Sequence, residues 1–394
     1  MKKQENKSED NMSAVGGLYV HIPYCRKRCI YCDFYSAGAI QADWHRLTDS
    51  LLTELKVRIG ERPAIIETIY IGGGTPSLLP SQEFERLITG LYKCAGGDGI
   101  KEFTIEVNPE DVTADSVAMW KSNGVNRVSV GIQSFDDHLL RIAGRLHDSV
   151  TSRRALKLLK SVFDNVSGDL IFGLPGQSVE SFGSDVREML DMGVPHLSAY
   201  SLMYEERTAL TKLRDTGRLN EADETDSVEM FRILCCLTQS YGLKRYELSN
   251  YALPGYESCH NSLYWSGKPY IGLGPSAHSY DGIRTRCWND ADIRKYFQVY
   301  GYGEPSADLK TELTTCEILT DEELREEQIM TRLRTAEGLN CQDYRTRWGE
   351  KAIKELESKA VRHIESGNLY RRGDMLSLTE RGVMISDEVI VDLF

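Results

Sequence analysis

Three cysteines lie within eight residues near the start of the chain, in the segment HIPYCRKRCIYCDF at residues 21–34. Cys25, Cys29 and Cys32 form a C-x3-C-x2-C array, and no fourth cysteine or histidine follows in the loop. The basic run at residues 26–28 is expected to favour their thiolate forms, which bind soft metals. Structural zinc normally takes four protein ligands, so zinc fits this array poorly. A cluster of four irons fits better, because three thiolates leave one iron free for a ligand that is not protein.

Polar side chains and a glycine triplet recur farther along the chain, near the ends of short apolar runs. The triplet is GGGTPS at residues 72–77, and the side chains are Glu106, Gln133, Arg145 and Asp169. Glycines expose backbone donors and acceptors to a small ligand, although a triplet alone is equally typical of a tight turn. Carboxylates, an amide and an arginine suit ribose hydroxyls and a carboxylate, although each alone is more typical of a salt bridge or a cap. Their order along the chain favours one shared site.

The segments that position these residues alternate in hydrophobic pattern. Short runs rich in β-branched and aromatic residues are separated by stretches with helical spacing that begin with Ser, Thr or Asp caps. This alternation predicts an α/β fold, a partial (β/α)6 barrel of parallel strands. In β/α barrels the chemistry lies at the carboxyl ends of the strands, where successive loops meet. The predicted strands are LYVHIP, ETIYIGGG, EFTIEVNP, RVSVGIQS, GDLIFGLPG and HLSAYSL.

Changes in pattern divide the chain into four predicted parts. Residues 1–16 are polar and aperiodic, which indicates a disordered tail, and residues 17–215 carry the barrel rhythm. Residues 216–310 begin with an acidic helix and continue into an extension dense in Tyr, Trp, Gly and His. Residues 311–394 combine helical segments with a short hairpin, which predicts a small helical, winged-helix-like C-terminal domain.

Composition narrows the class of protein. The 394 residues carry 47 basic and 59 acidic side chains, a net charge of −12, which argues against a nucleic-acid partner. No apolar run is long enough to span a membrane, and the start lacks the apolar core of a secretory signal, so we expect a cytoplasmic protein. In that compartment clustered thiols more often bind metals than form disulfides, and the sequence pairs none of the other cysteines.

With these motifs the chain resembles the radical S-adenosylmethionine (SAM) superfamily. In that superfamily C-x3-C-x2-C holds a [4Fe-4S] cluster, SAM chelates the open iron, and an electron from the cluster cleaves SAM to a 5′-deoxyadenosyl radical. LYVHIPYCRKRCIYCDF, GGGTPS, VGIQSF and LGPSAHS are similar, more narrowly, to the oxygen-independent coproporphyrinogen III oxidase group. By this resemblance the cluster would bind Cys25, Cys29 and Cys32. The cofactor-binding residues would be Tyr19, Tyr31, Gly73, Gly74, Thr75, Glu106, Gln133, Arg145, Asp169, Ala199 and His278.

Two departures separate this chain from the oxidases that it resembles. The oxidases continue as C-x3-C-x2-C-x-C, whereas Phe34 stands at the last position here, and they carry a longer segment before the residue equivalent to Tyr19. In addition, CHNSLYW at residues 259–265 matches an H-N-x-x-Y-W pattern of the haem-chaperone (HemW-type) branch. A histidine or cysteine can ligate haem iron while aromatic rings pack on the porphyrin. The haem-binding residues implied by the resemblance are His260, Cys259, Tyr264 and Trp265.

The resemblance therefore implies a haem chaperone that binds a [4Fe-4S] cluster, SAM and haem and delivers haem to acceptor proteins, including membrane-associated respiratory enzymes. The alternative is an oxygen-independent coproporphyrinogen III oxidase, a dehydrogenase-like enzyme of porphyrin biosynthesis that forms protoporphyrinogen IX. A radical enzyme with another substrate stays open, because a barrel fixes the cofactor better than the substrate. The sequence leaves open whether SAM is cleaved, which residues would be catalytic and whether the chain forms a homodimer.

Overall fold

The computed structural model describes four stretches of the chain, residues 16–61, 66–95, 99–303 and 305–394. The tail predicted at residues 1–16 lies outside the described residues, except for Gly16. The Gly16 backbone N–H donates to the Pro269 carbonyl at 3.0 Å. Within the described stretches, no helix combines the length and the apolar character that a membrane span requires.

Seventeen strands occur in the described residues. In chain order they are β1 (Gly17–Ile22), β2 (Tyr24–Cys25), β3 (Ala37–Gly38), β4 (Thr68–Gly73), β5 (Glu102–Val107), β6 (Arg127–Gln133), β7 (Asn165–Phe172), β8 (His196–Ser201), β9 (Lys244–Arg245), β10 (Asn250–Ala252), β11 (Tyr270–Leu273), β12 (His278–Tyr280), β13 (Thr285–Asn289), β14 (Thr314–Ile318), β15 (Leu339–Asn340), β16 (Leu369–Arg372) and β17 (Met375–Leu378).

Fifteen α-helices occur in the same residues. They are α1 (Trp44–Glu61), α2 (Ser81–Ala95), α3 (Ala114–Ser122), α4 (Asp137–Ala143), α5 (Ser149–Lys160), α6 (Val179–Asp191), α7 (Ala209–Asp215), α8 (Glu224–Ser240), α9 (Cys259–Trp265), α10 (Ile293–Tyr300), α11 (Ala307–Leu313), α12 (Asp321–Leu333), α13 (Cys341–Glu365), α14 (Glu380–Met384) and α15 (Ser386–Leu393).

Twelve strands form one sheet in the order β14-β13-β12-β11-β1-β4-β5-β6-β7-β8-β10-β9. The six central strands, β1 and β4 to β8, are parallel and alternate with helices, which confirms the predicted α/β fold. Because β1 and β8 pair with other strands and not with each other, the six-stranded barrel is open, as predicted for a partial barrel.

Side chains alternate across each central strand, and this alternation positions the site. On β1, Leu18, Val20 and Ile22 are fully buried in the hydrophobic core, as expected for a parallel strand covered by helices. Tyr19 and His21 project from the opposite face, where the Tyr19 hydroxyl lies 3.1 Å from His21 Nδ1. The same period-2 pattern places one polar set from every central strand in the barrel interior.

The segment predicted as an extension continues the barrel sheet at both edges. It adds β10 and β9 beside β8, and β11, β12 and β13 beside β1. The next strand, β14, pairs with β13 and places Cys287 opposite Cys316, and the two form a disulfide. The sequence pattern did not pair these cysteines, because 29 residues separate them and only the strand register makes them neighbours.

The C-terminal part combines helices with a small separate sheet. Thr320 begins α12 with a capping box, in which its side chain and that of Glu323 each bond the backbone of the other. Helix α13 is interrupted at Gly349, which has a φ of 87°. Strands β16 and β17 form the predicted hairpin, and β15 completes a three-stranded sheet in the order β15-β17-β16.

Candidate cofactor site

The three-cysteine loop joins β2 to β3 and forms one wall of a cavity of about 470 Å³. Cys25 is the last residue of β2, and Cys29 and Cys32 follow in the loop. Two neighbouring side chains donate to sulfur, the Thr75 hydroxyl to Cys25 Sγ and the Arg145 guanidinium to Cys29 Sγ, both at 3.4 Å. The structure therefore brings the three predicted ligands to the same cavity.

Burial is the main influence on the pKa values of the Cys25 and Cys32 thiols. It raises the pKa of the Cys25 thiol, and it raises the pKa of the Cys32 thiol to about 11. Arg28 of the basic run lowers the pKa of Cys32, as expected, but desolvation by burial outweighs this effect. A metal bound by both sulfurs would have to displace their protons, so its binding would depend on pH.

The donor set fits a cluster. Among the described residues, no three His, Cys, Asp or Glu side chains are arranged around a single metal ion. A four-iron cluster takes one thiolate per iron, so its ligands need not meet at one point. A Cβ atom at Gly74 would lie 3.0 Å from Cys25 Sγ and 2.8 Å from the Tyr24 carbonyl oxygen. The glycine thus keeps free the space beside the sulfur that a bulky group on Cys25 needs.

The glycine triplet at the end of β4 forms a second wall. Gly73 has a φ of 111°, and a Cβ there would lie 2.7 Å from the His21 ring, so only glycine fits without strain. The Gly73 backbone N–H donates to Glu106 Oε2 at 3.2 Å. Gly73, Gly74 and Thr75 all line the cavity and offer backbone groups to a small polar ligand.

Two carboxyl groups project into the cavity from β5 and β7. Glu106 accepts the Tyr70 hydroxyl at 2.7 Å, and Asp169 accepts hydrogen bonds from the hydroxyls of Ser129 and Ser167. Burial raises the pKa of Glu106 to about 7 and that of Asp169 to about 6. Both groups are therefore poised to exchange a proton, or to accept hydroxyl and ammonium donors from a ligand, near neutral pH.

Arg145 links the cysteine loop to the barrel strands. Its guanidinium donates to Asn108 Oδ1 at 2.6 Å and to the Gly131 carbonyl at 2.8 Å, in addition to Cys29 Sγ. Gln133 lies beside it at a register shift of β6, with an unusual φ of 68° for a residue other than glycine. A fixed guanidinium and an amide at this edge suit a ligand carboxylate.

Eight of the eleven predicted cofactor residues line the cavity, and three do not. Tyr19 lies beneath it, with its ring stacked on Tyr70 at 6.1 Å. Ala199 alternates with Ser198 and Tyr200 on β8, so its side chain lies on the other face of the sheet. His278 is exposed on β12, beyond the barrel strands, where it stacks on a tryptophan ring at 5.8 Å.

Four residues that the motifs did not single out belong to the site. Asn108, Ser129 and Tyr200 line the cavity, and Tyr70 holds Glu106 from below. Each occupies an inward position on or just after a central strand. The period-2 pattern of these strands was the signal that could have identified them, once the inward face was known.

The CHNSLYW motif forms α9, which packs against the amino-terminal ends of β4 and β5. We call this end of the barrel, below the cavity, its floor. His260 is 1% exposed; its Nδ1 lies 2.8 Å from the Thr68 hydroxyl and its Nε2 lies 2.9 Å from the Tyr264 hydroxyl. Its ring stacks on the ring of Tyr70, with 5.1 Å between the centroids, and the Tyr70 hydroxyl in turn donates to Glu106. Burial lowers the pKa of His260 to about 3, which keeps the ring neutral at neutral pH.

Only part of the motif faces outward. Cys259 is exposed and Trp265 is partly exposed, whereas Tyr264 carries its hydroxyl inward to His260. The carboxyl group of Glu102, on β5, accepts the backbone N–H groups of Cys259 and His260 at 2.8 and 3.0 Å. The first turn of α9 is therefore anchored to the barrel, and in this conformation both ring nitrogens of His260 are engaged by protein groups.

Replacing Glu106 by glutamine is expected to alter how stability depends on pH. The folded pKa of about 7 lies above the unfolded value of 4.5, so wild-type stability falls as pH rises through this interval. The free energy of unfolding of Glu106→Gln, relative to that of wild type, should therefore rise by about 2 kcal/mol between about pH 5 and about pH 8. This value is smaller than the pKa shift alone would give, because the cavity gives the carboxyl some access to water. Urea unfolding of both apoproteins across this range measures the difference.

Glu206→Gln provides the control, because that side chain is exposed. Its free energy of unfolding should change with pH in the same way as that of wild type. If Glu106→Gln also followed wild type, burial would not govern the ionisation of Glu106.

Comparisons with known proteins agree with this geometry. The Radical SAM superfamily profile matches residues 19–189, and the HemN C-terminal domain profile matches residues 319–385. Heme chaperone HemW of Bacillus subtilis is 31% identical over 382 residues, which cover 94% of this chain and 97% of the relative. Heme chaperone HemW of Lactococcus lactis is also 31% identical, over 94% of this chain and 95% of the relative.

Among solved structures, coproporphyrinogen III oxidase (HemN) of Escherichia coli, a radical SAM enzyme, superimposes with a TM-score of 0.81. The match covers 96% of this chain and 90% of that protein at 20% identity, so it establishes the fold alone. The two HemW relatives, which are 31% identical over 94% of this chain, establish the family as well as the fold. This chain belongs to the radical SAM superfamily and, within its coproporphyrinogen III oxidase-like group, to the HemW-type branch.

Proposed function

We propose that this protein is a haem chaperone that holds a [4Fe-4S] cluster and SAM, binds haem and delivers it to acceptor proteins such as respiratory enzymes. The observation that carries the proposal is the meeting of three cysteines, a glycine wall and two carboxyl groups in one cavity. The branch to which the chain belongs supplies the cargo, since its curated relatives are named heme chaperones.

The cysteine loop would hold the cluster through Cys25, Cys29 and Cys32. A bound cluster would supply the electron for reductive chemistry on SAM. The hydroxyl of Thr75 and the guanidinium of Arg145 already contact two of the sulfurs, so they would keep those ligands in place through hydrogen bonds.

The remaining cavity walls would bind SAM by complementary polar groups. The backbone of Gly73 and Gly74 would face the methionine amino group, and Arg145 would face its carboxylate. Glu106 and Asp169 would accept the ribose hydroxyls, and the neighbouring hydroxyl donors fix the orientation of both carboxyl groups. Tyr31 lines the cavity within the cysteine loop and would help to exclude water from the sulfurs.

A second candidate function is oxidative decarboxylation of coproporphyrinogen III to protoporphyrinogen IX. The motifs that resemble the oxidase group, among them GGGTPS, VGIQSF and LGPSAHS, are the observation that favours it. Against it, Phe34 occupies the position of the additional cysteine of the oxidases that the sequence resembles. The three cluster cysteines are intact, so both candidate functions require the same cluster.

One experiment separates the two functions. Anaerobically reconstituted protein is incubated with SAM, reductant and coproporphyrinogen III, while protoporphyrinogen IX and 5′-deoxyadenosine are quantified, and haem is titrated into a parallel sample. We expect saturable haem binding and no protoporphyrinogen IX. Product formed over many turnovers would instead identify an oxidase, and a lack of saturable haem binding would refute the chaperone proposal.

The haem-binding set predicted from the sequence, His260, Cys259, Tyr264 and Trp265, stays a prediction. Haem ligation by His260 would require α9 to move, because both ring nitrogens are hydrogen-bonded inside the floor. Cys259 and Trp265 are accessible without such a movement. Cys259→Ala and Trp265→Ala therefore test the motif with the smallest disturbance of the fold.

A further inference from the structure

The mouth of the cavity is rimmed by exposed apolar side chains. Phe34, Leu146, Tyr200 and Met203 all line the cavity, and they are 67%, 52%, 44% and 63% exposed, respectively. We call these four residues the apolar rim. They come from the cysteine loop, the loop after α4, the end of β8 and the loop after β8. Large apolar side chains that converge from separate elements and stay open to water usually mark a binding surface.

Unpaired positive charge lies next to the apolar rim. Lys27 and Arg28 are exposed, line the same cavity and form no salt bridge within the described residues. We call these two residues the cationic edge. The third cation of the run, Arg26, is already paired with Asp111. Asp33 and Glu205 are acidic residues that also line the cavity, and within the described residues neither forms a salt bridge with the cationic edge.

The cluster and SAM do not account for this surface. Their proposed contacts lie deeper, on the cysteine sulfurs, the glycine wall, Glu106 and Asp169. The ligand that fits the mouth has a broad apolar face and carries negative charge on one side. Haem matches both requirements, because its porphyrin ring is flat and apolar and its two propionates are anionic. Met203 adds a thioether, which is one of the side-chain groups that ligate haem iron in proteins.

We propose that haem docks at the mouth of the cavity, with its porphyrin ring against the apolar rim and its propionates toward the cationic edge. This inference rests on the proposed haem-chaperone function and assigns the cargo a place that differs from α9. The buried state of His260 supports the assignment, because both nitrogens of its ring are hydrogen-bonded to protein groups, whereas the residues of the apolar rim are exposed.

Haem titration of cluster-loaded, full-length protein tests the location. Leu146→Asp and Met203→Asp should each weaken haem binding about tenfold, because a charge replaces an apolar contact. Lys27→Glu combined with Arg28→Glu should weaken it about fivefold at low salt, and less at high salt, because added ions screen the propionate contacts. Before haem is added, iron content per chain should stay at the wild-type value in the Leu146 and Met203 variants, which shows that the fold and the cluster persist. Because Arg28 donates to the Cys32 carbonyl, haem binding by the Lys27 and Arg28 double variant is normalised to its own cluster content.

Matched controls lie far from the mouth in the C-terminal part. Val391 is 61% exposed on α15, and the Lys351 side chain is 91% exposed on α13. Val391→Asp and Lys351→Glu should bind haem like wild type. Cys259→Ala and Trp265→Ala should also bind haem like wild type if the cargo lies at the mouth.

The outcomes separate this inference from the function on which it rests. Saturable wild-type binding that the mouth variants leave unchanged would overturn the location, and loss of binding in the Cys259 or Trp265 variants would return it to α9. Normal haem binding by the mouth variants with impaired transfer to an acceptor protein would also overturn it, since the rim would then dock the acceptor. A wild-type protein that binds no haem would refute the proposed function and this inference together.

Discussion

Replacing Cys29 by alanine is expected to abolish cluster assembly. Anaerobic reconstitution should load wild type with about four irons per chain and Cys29→Ala with almost none, because three thiolates are the minimum protein set for such a cluster. The loss should be larger than that of one ligand bond, since Cys29→Ala also removes the sulfur to which the partly buried Arg145 guanidinium donates in the native protein. Iron and sulfide analysis with the visible absorption spectrum measures the effect.

Cys236→Ala is the matched control, because Cys236 is a free and exposed cysteine on α8, away from the cavity. It should load as much iron as wild type. A full cluster in Cys29→Ala would show that the predicted ligand set is incorrect, and equal losses in both variants would show that iron binds to thiols without regard to the loop.

Replacing Glu102 by alanine is expected to destabilise the protein by about 3 kcal/mol. The Glu102 carboxyl group is buried and accepts the backbone N–H groups of Cys259 and His260 and the hydroxyl of Ser258. Alanine leaves these donors without an acceptor, and each buried unpaired donor costs about 1–3 kcal/mol. Urea denaturation measures the total effect, and hydrogen exchange of α9 shows whether the helix detaches first.

Glu67→Ala is a control from the same region of the barrel. Glu67 forms a partly exposed pair with Lys101 at 3.0 Å, and such pairs contribute about 0.2–1 kcal/mol. If Glu102→Ala cost no more than Glu67→Ala, the hydrogen bonds to α9 would not anchor the floor of the barrel.

The barrel and its cysteine loop were predictable from the sequence because both depend on local patterns. The six central strands are short, apolar and bounded by turn residues, and the cysteines occupy one loop directly after the first strand. Glu106 was also predictable as a strand-end side chain, and Asp169 as a member of the same ordered set of polar residues. Their raised pKa values were not, because desolvation depends on how completely the surrounding strands and loops enclose the carboxyl groups.

The features that the sequence did not predict depend on contacts between distant segments. CHNSLYW resembles a ligand motif when it is considered by itself, and only the packing of α9 under β4 and β5 shows that His260 is enclosed. Cys287 and Cys316 become neighbours through the register of β13 and β14. The apolar rim likewise draws its residues from four separate places, so no window of the sequence contains it.

The floor that His260 and Tyr70 close beneath the cavity has a kinetic consequence. Tyr70 and His260 stack beneath Glu106, whereas the exposed apolar side chains that line the cavity belong to the apolar rim, so we expect ligands to enter from the rim. A ligand held at depth must then enter before one held at the mouth and leave after it. SAM and haem would then bind in a compulsory order. Haem added before SAM would slow the binding of SAM, and haem added after SAM would slow the dissociation of SAM. Rapid-mixing experiments with the two orders of addition would distinguish this sequence of events from independent binding.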